Sequence, residues 1–127
     1  MAKLKKLIVA CDGESASGKS TAAKFVSKKY NLLLINSGLL YRYCSKLIIK
    51  NKHINIIPFL KNRFKTVSYK EITRQKLHSE EISKHVGILA KNKKVREIVN
   101  QMQMKIIKTN NRICVEGRDI ASKILAK

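Results

Sequence analysis

The stretch CDGESASGKSTAAK, Cys11 to Lys24, holds the residues best suited to chemistry. Within it, Gly13, Gly18, Lys19 and Ser20 fit the pattern G-x-x-x-x-G-K-[ST], as GESASGKS. Each residue type has a task in that pattern. Glycines permit backbone angles that turn successive N–H groups inward, toward one point. A helix starting near Gly18 adds its unbonded N–H groups and the positive end of its dipole at that point. The Lys19 ammonium suits the outer phosphates of a triphosphate, and the Ser20 hydroxyl suits Mg²⁺. The expected phosphate-binding residues are therefore Gly13, Glu14, Ser15, Ala16, Ser17, Gly18, Lys19, Ser20 and Thr21, with Ser20 as the metal ligand; the loop alone leaves open whether water, a small acceptor or no acceptor takes the phosphate.

A second set of cations has the chemistry of an acceptor site. Only six of the 28 Lys and Arg residues are arginines, and three of those fall in distinctive stretches: Arg42 in INSGLLYR, Arg96 in KVREIVNQMQ and Arg118 in VEGRD. An acceptor that carries its own phosphate repels a triphosphate at close range. Fixed cations offset that repulsion, and the planar two-pronged guanidinium does so better than an ammonium. Transfer between two such phosphates rests on positioning and charge stabilisation, so no strong base is needed. Asp12, just before the loop, accordingly reads as a structural hydrogen-bond acceptor.

These residues need a scaffold. KLIVACD (Lys6–Asp12) is a short apolar run with β-formers, and reads as a buried strand. From Gly18 to Tyr30 the pattern turns helical, with Ala22, Phe25, Val26 and Tyr30 on one face. NLLLIN (Asn31–Asn36) reads as a second strand, and Ser37–Lys50 as a helix capped by Ser37. Strand, helix, strand, helix implies a parallel α/β sheet. A short helix around Pro58 is expected over Ile54–Phe64. Lys65–Leu77 alternates like a strand and suggests a small hairpin or loose insert. Ser79 followed by two glutamates signals a helix start. A further helix carries the stripe Val95, Ile98, Val99, Met102 and Ile106, and RICVEGRD (Arg112–Asp119) gives a third strand. On this placement Arg42 and Arg118 both reach the carboxyl edge of the sheet, where α/β proteins bind ligands.

At 127 residues, 44% of them hydrophobic, the chain makes one domain with a real core. There are 28 Lys and Arg against 8 Asp and Glu, a formal charge of +20 that attracts polyanions. Lysine drift at surface positions accounts for that charge more simply than nucleic-acid binding. No recognised nucleic-acid motif stands out, and no basic block is read as interleaved with aromatic residues. Cys11, Cys44 and Cys114 are scattered and odd in number, with no metal-ligand spacing, which fits a reduced cytoplasm. No apolar run is long enough to span a membrane.

DGESASGKST, LLINSGLLYR, KVREIVNQMQ and VEGRDI follow one another as they do in the bacterial cytidylate kinases, which the chain resembles from Leu7 to about Ile120. The resemblance is weakest over His53–Leu77, read as a variable insert on the acceptor side. It implies a phosphate-loop fold with three α/β layers and a parallel sheet. It also implies transfer of the γ-phosphoryl group of ATP to CMP or dCMP with Mg²⁺. Lys19, Arg42 and Arg118 would be catalytic, with Arg42 and Arg118 clamping the acceptor phosphate. Ser37, Arg96 and Asp119 would contact the nucleoside. Simpler roles stay open: a helix cap for Ser37, a solvated ion pair for Arg96, and a local arginine partner for Asp119. Glu14, Asn36 and Gly87 depart from the family pattern, which has Pro, Asp and, in some members, Ser there. The family pattern continues past Gly-Arg-Asp with two more strands and an arginine-rich lid. The chain is therefore expected to be the N-terminal portion of such a domain, with an open sheet edge able to self-associate. An inactive fragment, or a basic nucleotide- or RNA-binding module that kept the loop, is the alternative reading.

Overall fold

The computed structural model describes residues 6–12, 19–52 and 55–117. They form three strands and six helices: β1 (Leu7–Asp12), α1 (Lys19–Lys29), β2 (Leu33–Asn36), α2 (Ser37–Lys50), α3 (Ile56–Thr66), α4 (Tyr69–Thr73), α5 (Glu80–Lys91), α6 (Lys93–Thr109) and β3 (Arg112–Gly117). The chain divides into two compact units, residues 1–37 with 103–127 and residues 38–102.

The first unit is built on the sheet. β1, β3 and β2 lie side by side in that order, and both pairings are parallel. The fold class is thus α/β with a parallel sheet. β3, last in sequence, is central, and its Ile113, Cys114 and Val115 are fully buried. α1 packs against all three strands. Ala23, Leu32 and Cys114 form the buried centre of that contact, with Leu7, Val9, Cys11, Val26 and Leu34 around them. The expected helix face is corrected here. Ala23, Val26 and Ser27 face inward, whereas Ala22 is exposed, Phe25 is 65% exposed and Tyr30 47%. The small Ala23 lets the helix approach the sheet closely, a contact that a stripe of large rings does not allow.

α1 ends in a defined cap. Asn31 takes the left-handed conformation (φ 53°), and the Leu32 amide donates back to the Ser27 carbonyl at 2.7 Å. Asparagine tolerates this conformation better than most residues, and the six-to-one bond is that of a Schellman cap. The cap occupies Asn31, so β2 starts at Leu33, later than the sequence suggests.

The second unit is helical. Its buried residues include Leu40, Cys44, Leu60, Ile72, Leu77, Val95 and Val99, and Tyr43 meets Phe64 edge-on at 5.7 Å. Pro58 sits in the first turn of α3, where its missing N–H costs least. Ser79 caps α5 by accepting from the Ile82 amide, as its sequence signals. Asn92 caps α6 by accepting from the amides of Lys94 and Val95.

The hairpin expected over Lys65–Leu77 is absent. That segment finishes α3 and then forms α4. The cause is a helix cap: Ser68 accepts from the Glu71 amide at 3.1 Å, and its hydroxyl donates to the Glu71 carboxylate at 3.1 Å. This local cap, with Ile72 fully buried, outweighs the alternation of apolar residues.

Candidate nucleotide site

Parallel pairing sends all three strands the same way, so their carboxyl ends share one edge of the sheet. In register, Asp12 of β1 faces Gly117 of β3, and Asn36 of β2 faces Glu116. Three stretches leave the sheet there: the glycine-rich loop after Asp12, Ser37 after Asn36, and Arg118–Asp119 after Gly117. Residues 13–18 lie outside the described part, as do Arg118 and Asp119. The expected roles of Gly13 to Gly18, Arg118 and Asp119 thus fall on residues whose structure is not described. Their flanks are described: a strand runs up to Asp12, and a helix opens with Lys19, Ser20 and Thr21.

Ser37 is buried, and its hydroxyl donates to the Glu116 carbonyl at 3.0 Å. It is the first residue of α2, not its cap. Its bond ties the end of β2 to the end of β3, and so fixes two sides of the edge.

Glu116 is the residue that sequence reading missed. It is only 3% exposed, and its Oε2 has no partner among the described residues. Residues two apart on a strand share a face, so Glu116 lies on the same face as Cys114, whose Sγ points at the Ala23 carbonyl of α1. The carboxyl group is therefore on the α1 side of the central strand, at the edge from which the glycine-rich loop departs. A buried carboxylate oxygen without a partner is costly, and a hydrogen-bond donor or a cation relieves that cost. A glutamate ending an otherwise apolar strand was the available signal.

The cysteines of this unit are packing groups. Cys11 Sγ and Cys114 Sγ lie 3.8 Å apart as free thiols. Burial, reinforced by Cys11 and Glu116, pushes the Cys114 thiol up to about 12.

The helical unit holds the other two predicted arginines. Arg42 projects from α2, and its Nη1 donates to the Leu77 carbonyl and to Ser83 Oγ, both at 3.0 Å. These bonds fix the guanidinium plane against the segment before α5 and against α5 itself. The guanidinium of Arg96 on α6 acts on the phenol of Tyr41, favouring its ionised form. Burial pushes that phenol above its ordinary value, and Arg96 only partly offsets it, so Tyr41 stays protonated at neutral pH. Tyr41 and Arg42 are adjacent on α2. Gly87 of α5 is exposed, with nothing within 4 Å of where a Cβ would stand. A serine there would meet no obstacle.

Among the described residues no helix is long and apolar enough to cross a membrane, and no three His, Cys, Asp or Glu residues cluster as metal ligands. The family model for cytidylate kinase matches residues 9–127. The chain is 32% identical to a cytidylate kinase of Aquifex aeolicus (strain VF5) over 129 residues, covering 92% of this chain and 58% of that protein. It is 33% identical to one from Clostridioides difficile (strain 630), covering 93% of this chain and 59% of that protein. It is 35% identical to a bifunctional pantoate ligase/cytidylate kinase of Prochlorococcus marinus (strain AS9601), covering 92% of this chain and 26% of that protein. The chain thus spans under two thirds of the length of these relatives. Taken with the strand–loop–helix at Asp12–Lys19 and the shared strand edge, the match over residues 9–127 decides the family: this chain belongs to the cytidylate kinases.

Proposed function

We propose that the chain handles both nucleotides of a nucleoside monophosphate kinase, moving the γ-phosphoryl group of ATP onto CMP or dCMP. The observation that carries this is the common edge formed by Asp12, Glu116–Gly117 and Asn36–Ser37. It supports a phosphate site at the loop after Asp12, flanked by the strand that leads into Arg118 and Asp119. A phosphate oxygen of the acceptor attacks Pγ, the bond from Pγ to the bridging oxygen breaks, and ADP leaves. The attacking oxygen is already anionic, so no proton need be removed. Lys19 and the loop amides of Gly13, Glu14, Ser15, Ala16, Ser17, Gly18, Ser20 and Thr21 hold the donor. Arg42 and Arg118 clamp the acceptor phosphate, and Ser37, Arg96 and Asp119 orient the nucleoside.

Mg²⁺ fits the residues present. The unpartnered buried Oε2 of Glu116 is an oxygen donor at this edge, and Ser20 supplies a hydroxyl in the first turn of the helix after the loop. These two residues would hold the ion, which neutralises phosphate charge when bound. Arg42, held by Leu77 and Ser83, supplies fixed positive charge for the acceptor.

The test is ADP formation from ATP with CMP, dCMP, UMP and AMP offered in turn. Turnover that depends on CMP or dCMP and disappears in Lys19→Ala is expected. Absence of CMP-dependent turnover, or turnover that survives Lys19→Ala, overturns the reading for this chain. A second reading follows from the sheet itself: among the described residues β1 has a neighbour on one side only. Its free edge suits pairing with another strand, including one from a second copy. Size-exclusion chromatography across concentrations tests this, and a monomer at every concentration rejects self-pairing.

A further inference from the structure

The edge opposite the candidate nucleotide site carries an exposed aromatic and basic cluster that the kinase reading does not use. Phe25 is 65% exposed and Tyr30 47%, although both are large apolar rings. The Lys29 ammonium sits between them, 5.8 Å from the Phe25 ring centre and 5.5 Å from that of Tyr30. Lys24 and Lys28 are exposed beside them on α1. Leu33, 43% exposed, opens β2 next to this cluster, and Arg112 donates to the Tyr30 carbonyl. Lys24 and Phe25 lie at the middle of α1 and the others at its carboxyl end or the amino ends of β2 and β3, so the cluster is centred away from the edge at Asp12, Glu116 and Asn36. The stretch KFVSKKY is a basic block with interleaved aromatics, contrary to the sequence reading, which took Phe25 and Tyr30 for core residues.

We infer that this cluster, Lys24, Phe25, Lys28, Lys29 and Tyr30, is a binding site for a single-stranded polynucleotide. Exposed rings offer flat faces on which unpaired bases stack, whatever their sequence. A lysine between two rings is placed for the phosphate that links two stacked bases. The surrounding ammonium groups follow the backbone, and the formal charge of +20 strengthens attraction to any polyanion. A duplex hides its base faces in its own stack and leaves the rings without partners. An anionic membrane is the less fitting occupant. Apart from Phe25 and the small Ala22, no apolar residue of α1 is among its exposed ones, so the helix presents no apolar stripe to enter a bilayer.

Fluorescence anisotropy with labelled oligo(U) and oligo(dT), repeated on a duplex of equal length and on phosphatidylserine vesicles, tests this. Saturating MgATP is included to block the candidate nucleotide site. Single strands are expected to bind best and to stay bound with MgATP present. The RNA and DNA arms show which sugar is preferred. Phe25→Ala and Tyr30→Ala should each weaken binding roughly tenfold. Lys29→Gln should lower the slope of log affinity against log salt by about one. Lys61→Gln, an exposed lysine of the helical unit, serves as the charge control and should leave the effect of the rings untouched. All four side chains are exposed, so circular dichroism should give identical spectra for the variants. Equal affinity of Phe25→Ala, Tyr30→Ala and the parent chain overturns the inference. So does tighter binding to duplex or vesicles, release of the oligonucleotide by MgATP, or no binding at low salt.

Discussion

The sheet unit places its functional groups through the backbone, and the helical unit places them through side chains. Asp12, Glu116 and Asn36 share an edge because three strands run parallel in one register, and no single side chain creates that arrangement. Arg42 is aimed by two bonds, to the Leu77 carbonyl and Ser83 Oγ. Backbone placement resists substitution as long as the sheet forms. Side-chain placement is easily retuned, because one substitution redirects a guanidinium without disturbing a core. On the proposed function, the loop after Asp12 in the sheet unit serves the triphosphate, which does not vary, and Arg42 and Arg96 of the helical unit are the acceptor contacts that a single substitution can retune.

The sharpest way to break this comparison is to cut into the core of β3. Ile113→Ala empties a fully buried site on the central strand and should cost roughly 2–5 kcal/mol, read as a lower urea midpoint. The molecules still folded should bind an ATP analogue as the parent does. A folded variant with tenfold weaker binding would mean that the strand ends depend on side-chain packing after all. Ser83→Ala is the converse. It removes one of two bonds to Arg42 and should weaken CMP binding by about 0.5–1.5 kcal/mol while leaving the urea midpoint unchanged. Unaltered CMP affinity would show that the Leu77 carbonyl alone aims the guanidinium.

Smaller effects refine the picture. Gly87→Ala fills open space on α5 and should stabilise the chain by about 0.5–1 kcal/mol, because alanine holds a helix better than glycine does. Gly87→Ser tests whether a hydroxyl there improves cytidine recognition, measured as the ratio of CMP to UMP affinity. The last effect is confined to alkaline pH. Burial raises the Cys44 thiol of the helical unit and the Cys114 thiol of the sheet unit, each from 9.0 to about 12. Each therefore favours the folded state with its proton on. That contribution is complete below pH 9 and fades as the pH rises toward 12. Cys44→Ala and Cys114→Ala should each flatten the stability profile over that window. Equal slopes in parent and variant would mean that burial of the thiol has no role.

The three strands, the five helices α1, α2, α3, α5 and α6, and the parallel pairing were legible because apolar runs and caps are local signals. The G-x-x-x-x-G-K-S pattern stood out in the sequence because its residues are contiguous. Glu116 was not, since its interest arises from burial and from the absence of a described partner, which only the folded sheet provides. Ser83 and Tyr41 were missed for a related reason: each matters through an arginine on another helix. The outward turn of Phe25 was misread because helical periodicity gives the stripes but not which one meets the sheet. Lys65–Leu77 was misread although its signal was present. Ser68 and Glu71 form a cap at the right spacing, and the alternation of apolar residues drew attention away from it.

The order β1–β3–β2 bears on how the chain is made. β3 is the only described strand that pairs with either of the others, and it is the last of the three to leave the ribosome. Until Gly117 has been added, β1 and β2 are apolar segments with open hydrogen-bonding edges and no partner in this sheet. Nascent chains in that condition meet other chains first, and their exposed strands are where aggregation starts. The excess of lysine then has a use before folding is complete: chains that repel one another stay apart long enough for the middle strand to arrive.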